Sequence, residues 1–301
     1  MAEKIKLTFL GTGSAVPTKR KNHPSILLRY KDENILIDCG EGTQRQLRKA
    51  RLNPCKITRI LITHWHADHV LGLPGLIQTL MLNEYGKTLH IYGPKGTKKM
   101  MQLYLALFAR KEKISIQIHE PTSKIDMSEF YIKTSKMKHD APCLAYAFKI
   151  KDKKRINKEK LSKLNIQAGP ELKKLKQGKS ITINGKKISS KQITYKEKGK
   201  KITFILDTRE NKQAINLAKD SDLLVCESTY SQEEEEIAKE YHHLTSTQAA
   251  NIAKKSKSKQ LILTHLSQRY DTKQQESKLL KQAQSIFKNT KIAEDLMSIE
   301  I

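Results

Sequence analysis

Residues 57–69 read Ile57-Thr58-Arg59-Ile60-Leu61-Ile62-Thr63-His64-Trp65-His66-Ala67-Asp68-His69, an apolar run followed at once by four metal-ligating side chains. The run reads as a buried, parallel-type β-strand, so the ligands sit at its mouth. Imidazole nitrogens with a carboxylate suit zinc and leave room for a bound water. Four ligands this close cannot all serve one tetrahedral ion, because His66 and His69 fall on opposite sides of a tight turn. The spacing therefore predicts two metals side by side.

Two metals need further ligands, and each candidate follows an apolar strand or lies at a strand junction: His139 in Lys138-His139-Asp140, Asp207 in Leu206-Asp207-Thr208, and His265 in Leu263-Thr264-His265. A carboxylate such as Asp207 can bridge two cations about 3.5 to 4 Å apart, with His139 completing one site and His265 the other. Such a centre suits hydrolysis. Asp68 can serve as ligand and also accept the proton of the attacking water. The run Tyr241-His242-His243-Leu244-Thr245-Ser246 precedes a helix capped by Thr245 or Ser246. We expect His243 to protonate the leaving oxygen, oriented and raised in pKa by Glu227. His23, His90 and His119 read as ordinary, and Trp65 as a packing residue. Gly11-Thr12-Gly13-Ser14 is a weak phosphate loop whose amides could still meet an anion.

Around these motifs strands and helices alternate. Strands are expected at Ile5–Leu10, Ser25–Tyr30, Asn34–Cys39, Leu89–Tyr92, Ile114–Ile118, Phe130–Ser135, Cys143–Ile150, Ile202–Leu206, Leu223–Cys226 and Gln260–Leu263. Helices are expected from Glu41, over Val70–Leu82, Lys95–Phe108 and Asn211–Ala218, near Glu233–Lys239, and over Ser246–Lys254. Lys151 to about Lys200 turns Lys-rich and weakly apolar, with Gly169-Pro170 and the turn Asn184-Gly185, and reads as an insertion. The pattern implies an α/β fold, a four-layer αββα sandwich whose site lies where strand ends of both sheets converge.

The 301 residues suffice for a core that removes roughly three quarters of the unfolded surface from water. Lys and Arg number 57 against 31 Asp and Glu, and a net charge of +26 points to nucleic acid as partner. Cys39, Cys55, Cys143 and Cys226 form no C-x-x-C pair and read as buried, reduced thiols. The absence of a signal core or membrane-length apolar stretch predicts a cytoplasmic protein without a membrane partner.

The chain resembles the short form of RNase Z, the tRNA 3′-processing endoribonuclease of the metallo-β-lactamase fold superfamily, over essentially its whole length. The likeness rests on Phe9-Leu10-Gly11-Thr12-Gly13-Ser14, Leu36-Ile37-Asp38-Cys39-Gly40-Glu41-Gly42-Thr43-Gln44, Thr63–His69 with Gly72-Leu73-Pro74-Gly75, and Leu263-Thr264-His265-Leu266-Ser267-Gln268-Arg269-Tyr270. The H-x-H-x-D-H stretch marks the superfamily, and the C-terminal T-H-x-S-x-R-Y run narrows it. The resemblance implies that His64, His66 and His139 hold one zinc ion, that Asp68, His69 and His265 hold a second, and that Asp207 bridges them. It implies Asp68 as proton acceptor and His243 as catalytic histidine. It further implies one metallo-β-lactamase-fold domain over 1–301, with 151–200 a flexible arm that clamps precursor tRNA, and a homodimer. Two segments depart from the family: Asp152-Lys153-Lys154-Arg155 stands where Pro-Gly-Lys is usual, and His243-Leu244-Thr245 where His-Ser-Thr is usual. Neither removes a ligand. The rival reading is a small-molecule hydrolase of the same fold, against which the basic insertion and the net charge argue.

Overall fold

The computed structural model describes residues 4–108, 114–164, 169, 171–183 and 186–301. Pro170 and the Asn184-Gly185 turn lie outside the described residues. By contacts the chain forms two units, one of Met1–Asp126, Ile132–Phe148 and Lys201–Ile301, the other of Met127–Tyr131 and Lys149–Lys200.

In the first unit the chain lays down β1 (Lys6–Gly11), β2 (Ser25–Tyr30) and β3 (Glu33–Ile37), then α1 (Thr43–Lys49) and β4 (Arg59–Leu61). It continues through α2 (Ala67–Val70), α3 (Leu73–Leu82), β5 (Thr88–Tyr92), α4 (Thr97–Phe108) and β6 (Ser115–His119). β1 to β3 form an antiparallel meander, and β3, β4, β5 and β6 run parallel. The apolar strand before the ligand motif is thus central and parallel, as its unbroken hydrophobicity predicts. Leu36, Ile60, Ile62, Leu89 and Ile91 pack on Leu47 of α1 and Leu73, Leu76, Ile77 and Leu80 of α3.

Next come β7 (Lys124–Asp126), β8 (Phe130–Lys136) and β9 (Leu144–Ile150). The second unit contains β10 (Lys153–Ile156), α5 (Lys158–Lys163), α6 (Leu172–Lys176), β11 (Ile181–Ile183), β12 (Lys186–Ile188), α7 (Ser190–Ile193) and β13 (Thr194–Glu197). It holds a small apolar core of its own, Leu175, Ile181, Ile188 and Ile193. Residues 151–200 carry 17 Lys and Arg against four Asp and Glu, half of the chain's net positive charge.

The chain returns as β14 (Lys201–Ile205), α8 (Lys212–Ala218), β15 (Leu223–Glu227), α9 (Glu235–Glu240), α10 (Ser246–Lys255), β16 (Leu261–Thr264), α11 (Lys273–Ile286), β17 (Thr290–Ile292) and β18 (Ser298–Glu300). The first sheet has the order β18-β1-β2-β3-β4-β5-β6 and the second β17-β16-β15-β14-β9-β8-β7. Residues of α8, α10 and α11 cover the second sheet through Ala214, Leu217, Ala249, Ile252, Ala253 and Ala283. Between the sheets, the Tyr146 hydroxyl donates to Ile62 O at 2.6 Å, and the Tyr30 and Phe148 rings meet edge-on at 5.6 Å. The four-layer αββα expectation is met.

Three local expectations are corrected. The single helix over Val70–Leu82 is two helices, because Gly72 N–H donates to Cys39 O and leaves the helical ladder. α11, β17 and β18 belong to no expected element. Cys39, Cys143 and Cys226 are buried, whereas Cys55 is only half-buried; all four are free thiols.

Candidate metal centre

The parallel register brings strand ends to one edge. Ile37 lies beside Leu61, Ile205 beside Cys226, and Glu227 beside Thr264, so Asp38, His64, Asp207 and His265 all follow strands that end level with a neighbour. Asp38, Asp207 and His265 then take left-handed backbone angles, φ of 55°, 49° and 60°. Such non-glycine residues cost about 1–3 kcal/mol each and persist where the surroundings over-determine them. Here the sharp turn lets the residue just past a strand end face the strand-end edge. Asp68 and His69 instead ride on α2, whose first turn they supply.

The donor atoms of His64, His66, His139 and Asp207 lie within 4.8 Å of one another, as do those of Asp68, His69 and His265. The two groups touch. His69 Nε2 is 3.2 Å from His265 Nε2, 3.3 Å from Asp68 Oδ2 and 3.4 Å from Asp207 Oδ2. Asp207 Oδ2 is also 3.6 Å from His64 Nε2, and Asp207 Oδ1 is 3.2 Å from His265 Nε2. All seven residues singled out from the sequence as ligands are therefore brought together. His64 Nε2 and Asp207 Oδ1 are fully buried and make no hydrogen bond, a costly state that a cation at this point relieves. Nitrogen and oxygen donors facing one another across 3 to 4 Å fit a divalent metal of the zinc class.

The electrostatics agree. Burial opposes a charge on His69, yet the carboxylates of Asp207, Asp68 and Asp38 hold its pKa well above the ordinary value. Burial would push Asp207 up, but the rings of His265, His69 and His64 hold it well below the usual carboxylate range. Buried carboxylates that stay ionised and collect imidazoles present a field that favours a cation.

The far side of three of the rings is tied back. Asp38 Oδ2 meets His69 Nδ1 at 2.7 Å, Thr63 Oγ1 meets His64 Nδ1 at 3.0 Å, and Thr229 Oγ1 meets His265 Nδ1 at 3.0 Å. These partners fix ring orientation and tautomer. Asp38 and Thr229 were not singled out as site residues. The signal for Asp38 was present, since a carboxylate ends an apolar strand there; for Thr229 there was none.

Glu227, fully buried, lies 3.1 Å from His243 Nδ1 and also accepts from Thr208 N, Leu244 N and the Thr229 hydroxyl. Burial pushes the His243 ring down, but the charge and hydrogen bond of Glu227, with Asp207 behind, raise its pKa to about 9. Thr245 caps α10. His90 and His119 lie away from the centre, stacked on each other and on Tyr92, and Trp65 packs edge-on to Tyr104 with its indole N–H on Thr97 Oγ1. The glycine turn offers no anion cradle: Gly13 and Ser14 N–H donate to Asn22 O and Leu266 O, and a Cβ on Gly11 would stand 1.8 Å from His23 O.

Comparison with known proteins follows the geometry. The family model for the anti-Pycsar protein Apyc1 matches residues 5–287. A ribonuclease Z of Nanoarchaeum equitans is 42 % identical over 295 residues, 97 % of this chain and 92 % of that protein. One from Pyrococcus horikoshii is 40 % identical, covering 92 % and 91 %. Human tRNase Z, short form, superposes with a TM-score of 0.71 at 27 % identity over 98 % of both chains. A metallo-β-lactamase fold protein from Bacillus subtilis superposes at 0.73 and 19 % identity over 99 % of this chain and 100 % of the other, which speaks to the fold alone. The chain falls in the family that the Apyc1 model describes and, by relatives sharing two fifths of its residues over nearly all its length, belongs to the ribonuclease Z family of the metallo-β-lactamase fold.

Proposed function

We propose that this chain is a zinc-dependent endoribonuclease that cuts precursor tRNA 3′ of the discriminator nucleotide, leaving a tRNA 3′-hydroxyl and a 5′-phosphorylated trailer. The observation that carries the reading is the proximity of His64, His66, Asp68, His69, His139, Asp207 and His265 in a member of the ribonuclease Z family. In this reading His64, His66 and His139 would hold one zinc ion and Asp68, His69 and His265 a second, with Asp207 shared by both. When bound, the ions supply Lewis acidity to the scissile phosphate and lower the pKa of a nearby water.

The chain's own groups move the protons. Asp68 accepts the proton of the attacking water as the oxygen–phosphorus bond forms. His243, with Nδ1 engaged by Glu227, donates from its other nitrogen to the departing 3′-oxygen as the phosphorus–oxygen bond breaks. The Lys-rich residues 151–200 act as an arm on the tRNA backbone, a contact indifferent to base sequence. The working form is a homodimer in the cytoplasm. Supporting the dimer, Leu82 of α3 and Leu103, Leu107 and Phe108 of α4 leave large apolar side chains exposed.

The deciding experiment incubates the purified protein with a precursor tRNA bearing a 3′ trailer and maps both new ends. Cleavage just past the discriminator is expected. Hydrolysis of bis(p-nitrophenyl) phosphate with the precursor left intact would move the assignment to a small-molecule phosphodiesterase.

A further inference from the structure

Five imidazoles enter the centre, and four of them are held by a neighbour on the nitrogen turned away from the cluster. Thr63, Asp38 and Thr229 do this for His64, His69 and His265, and His242 O does it for His139 Nδ1 at 3.3 Å. His66 is the exception. Its Nδ1 faces His139 Nε2 at 3.2 Å, and among the described residues its Nε2 meets only the exposed carboxylate of Asp140, at 3.4 Å. The His66 side chain is 39 % exposed, against 2 % or less for the other four. No buried partner sets this ring, so its placement has to come from the backbone that carries it.

That backbone is extended. His66, the residue before α2, has φ −71° and ψ 151°. Successive side chains of an extended segment point to opposite sides, so with His64 and His66 in the cluster Trp65 faces away from it. There the indole is fixed twice. Its N–H donates to Thr97 Oγ1 at 2.9 Å, and its ring meets Tyr104 edge-on at 5.5 Å. Both partners belong to α4. Thr97 is itself pinned: it is fully buried, its hydroxyl donates to Pro94 O at 2.7 Å, and a Cβ on Gly93 would stand 2.4 Å from that hydroxyl oxygen. Tyr104 packs against the apolar core on the helical side of the first sheet.

We infer that Trp65 is a positioning residue for the metal centre: tethered to Thr97 and Tyr104 of α4, it holds the extended segment 64–66 so that His66 presents Nδ1 to the site of His64, His139 and Asp207. The inference rests on the two-metal reading above. It separates a tether from simple packing, because a phenylalanine fills much of the same apolar space but has no N–H to give Thr97.

The test titrates metal-free full-length protein with Zn2+ against a chromophoric chelator. Wild type is expected to take up two ions in resolvable steps, and His139→Ala identifies the step that belongs to the His64 and His66 site. In Trp65→Phe and in Thr97→Val that step weakens on the order of 10-fold while the other keeps its wild-type affinity. The double substitution weakens it no further than the larger single one, since both remove the same bond. A packing role alone lowers the melting midpoint of the metal-free protein and moves neither affinity, and that result overturns the inference while leaving the metal centre standing. So does an equal weakening of both steps, which marks a general defect. A wild-type protein that binds no zinc overturns the metal-centre reading and this inference with it.

Discussion

Glu227 illustrates what a single side chain must satisfy in this molecule. A fully buried carboxylate is tolerated only with its lone pairs engaged, and two backbone amides, a hydroxyl and the His243 ring do so. Glu227→Gln keeps the shape and removes the charge. We expect kcat on precursor tRNA to fall on the order of 100-fold with metal content unchanged, checked by steady-state kinetics beside metal analysis. A normal kcat would take Glu227 and His243 out of proton transfer. A second buried ion pair serves stability. Lys21, 3 % exposed, places Nζ 2.8 Å from Glu276 Oε1 and donates to Tyr270 O. Burial would raise the Glu276 carboxyl, but hydrogen bonding and charge from Lys21, then Arg20 and Lys273, hold it below its ordinary value of 4.5. A depressed carboxyl contributes in full above the unfolded pKa, and that contribution disappears as pH falls through the folded one. Glu276→Gln should therefore lose about 3 kcal/mol at neutral pH, since it leaves the buried Lys21 with Tyr270 O and the longer 3.6 Å pairing to Asp271 alone. Denaturant melts should show the gap to wild type closing as pH drops below 4.5; a gap constant with pH would contradict the pairing.

The break between α2 and α3 is the element on which the centre depends. Apolar periodicity runs through Val70–Leu82 without interruption, so one helix is the natural reading. The structure ends α2 after one turn because Gly72 passes against the backbone of β3's extension. A Cβ at Gly72 would stand 2.1 Å from Gly40 O and 2.9 Å from Cys39 O, atoms that cannot yield without moving the strand end beside Asp38. We expect Gly72→Ala to cost about 1–3 kcal/mol or more and to weaken metal uptake, since α2 carries Asp68 and His69. Thermal melting with and without added zinc checks both, and a melting curve like wild type would show that the strand can give way. At the C-terminus, β18 pairs antiparallel with β1, Leu7 beside Ile299. A three-residue edge strand whose partners, Leu7 and Ile299, stand 292 positions apart leaves no local pattern to read.

At the scale of the whole molecule, charge is distributed unevenly. Residues 151–200, a sixth of the chain, carry half of its +26. If this segment meets tRNA phosphates, its contribution is sequence-independent and released by salt. Deleting Lys151–Lys200 should lower precursor tRNA cleavage and flatten the dependence of tRNA affinity on salt, while hydrolysis of bis(p-nitrophenyl) phosphate is retained. Filter binding across a salt series with parallel rate assays measures this, and equal losses on both substrates would contradict it.

The alternation of strands and helices, the parallel character of Ile57–Ile62, and the seven nitrogen- and oxygen-bearing side chains that the structure draws together were legible in the amino-acid order, because each stands in or beside a local pattern of period or spacing. Their convergence was not: His64 and His265 are 201 positions apart, and only the register of parallel strands and three left-handed turns places them around one point. The same holds for Asp38 behind His69. A carboxylate on either side of an imidazole looks alike in a sequence, and which nitrogen it meets is settled by packing alone.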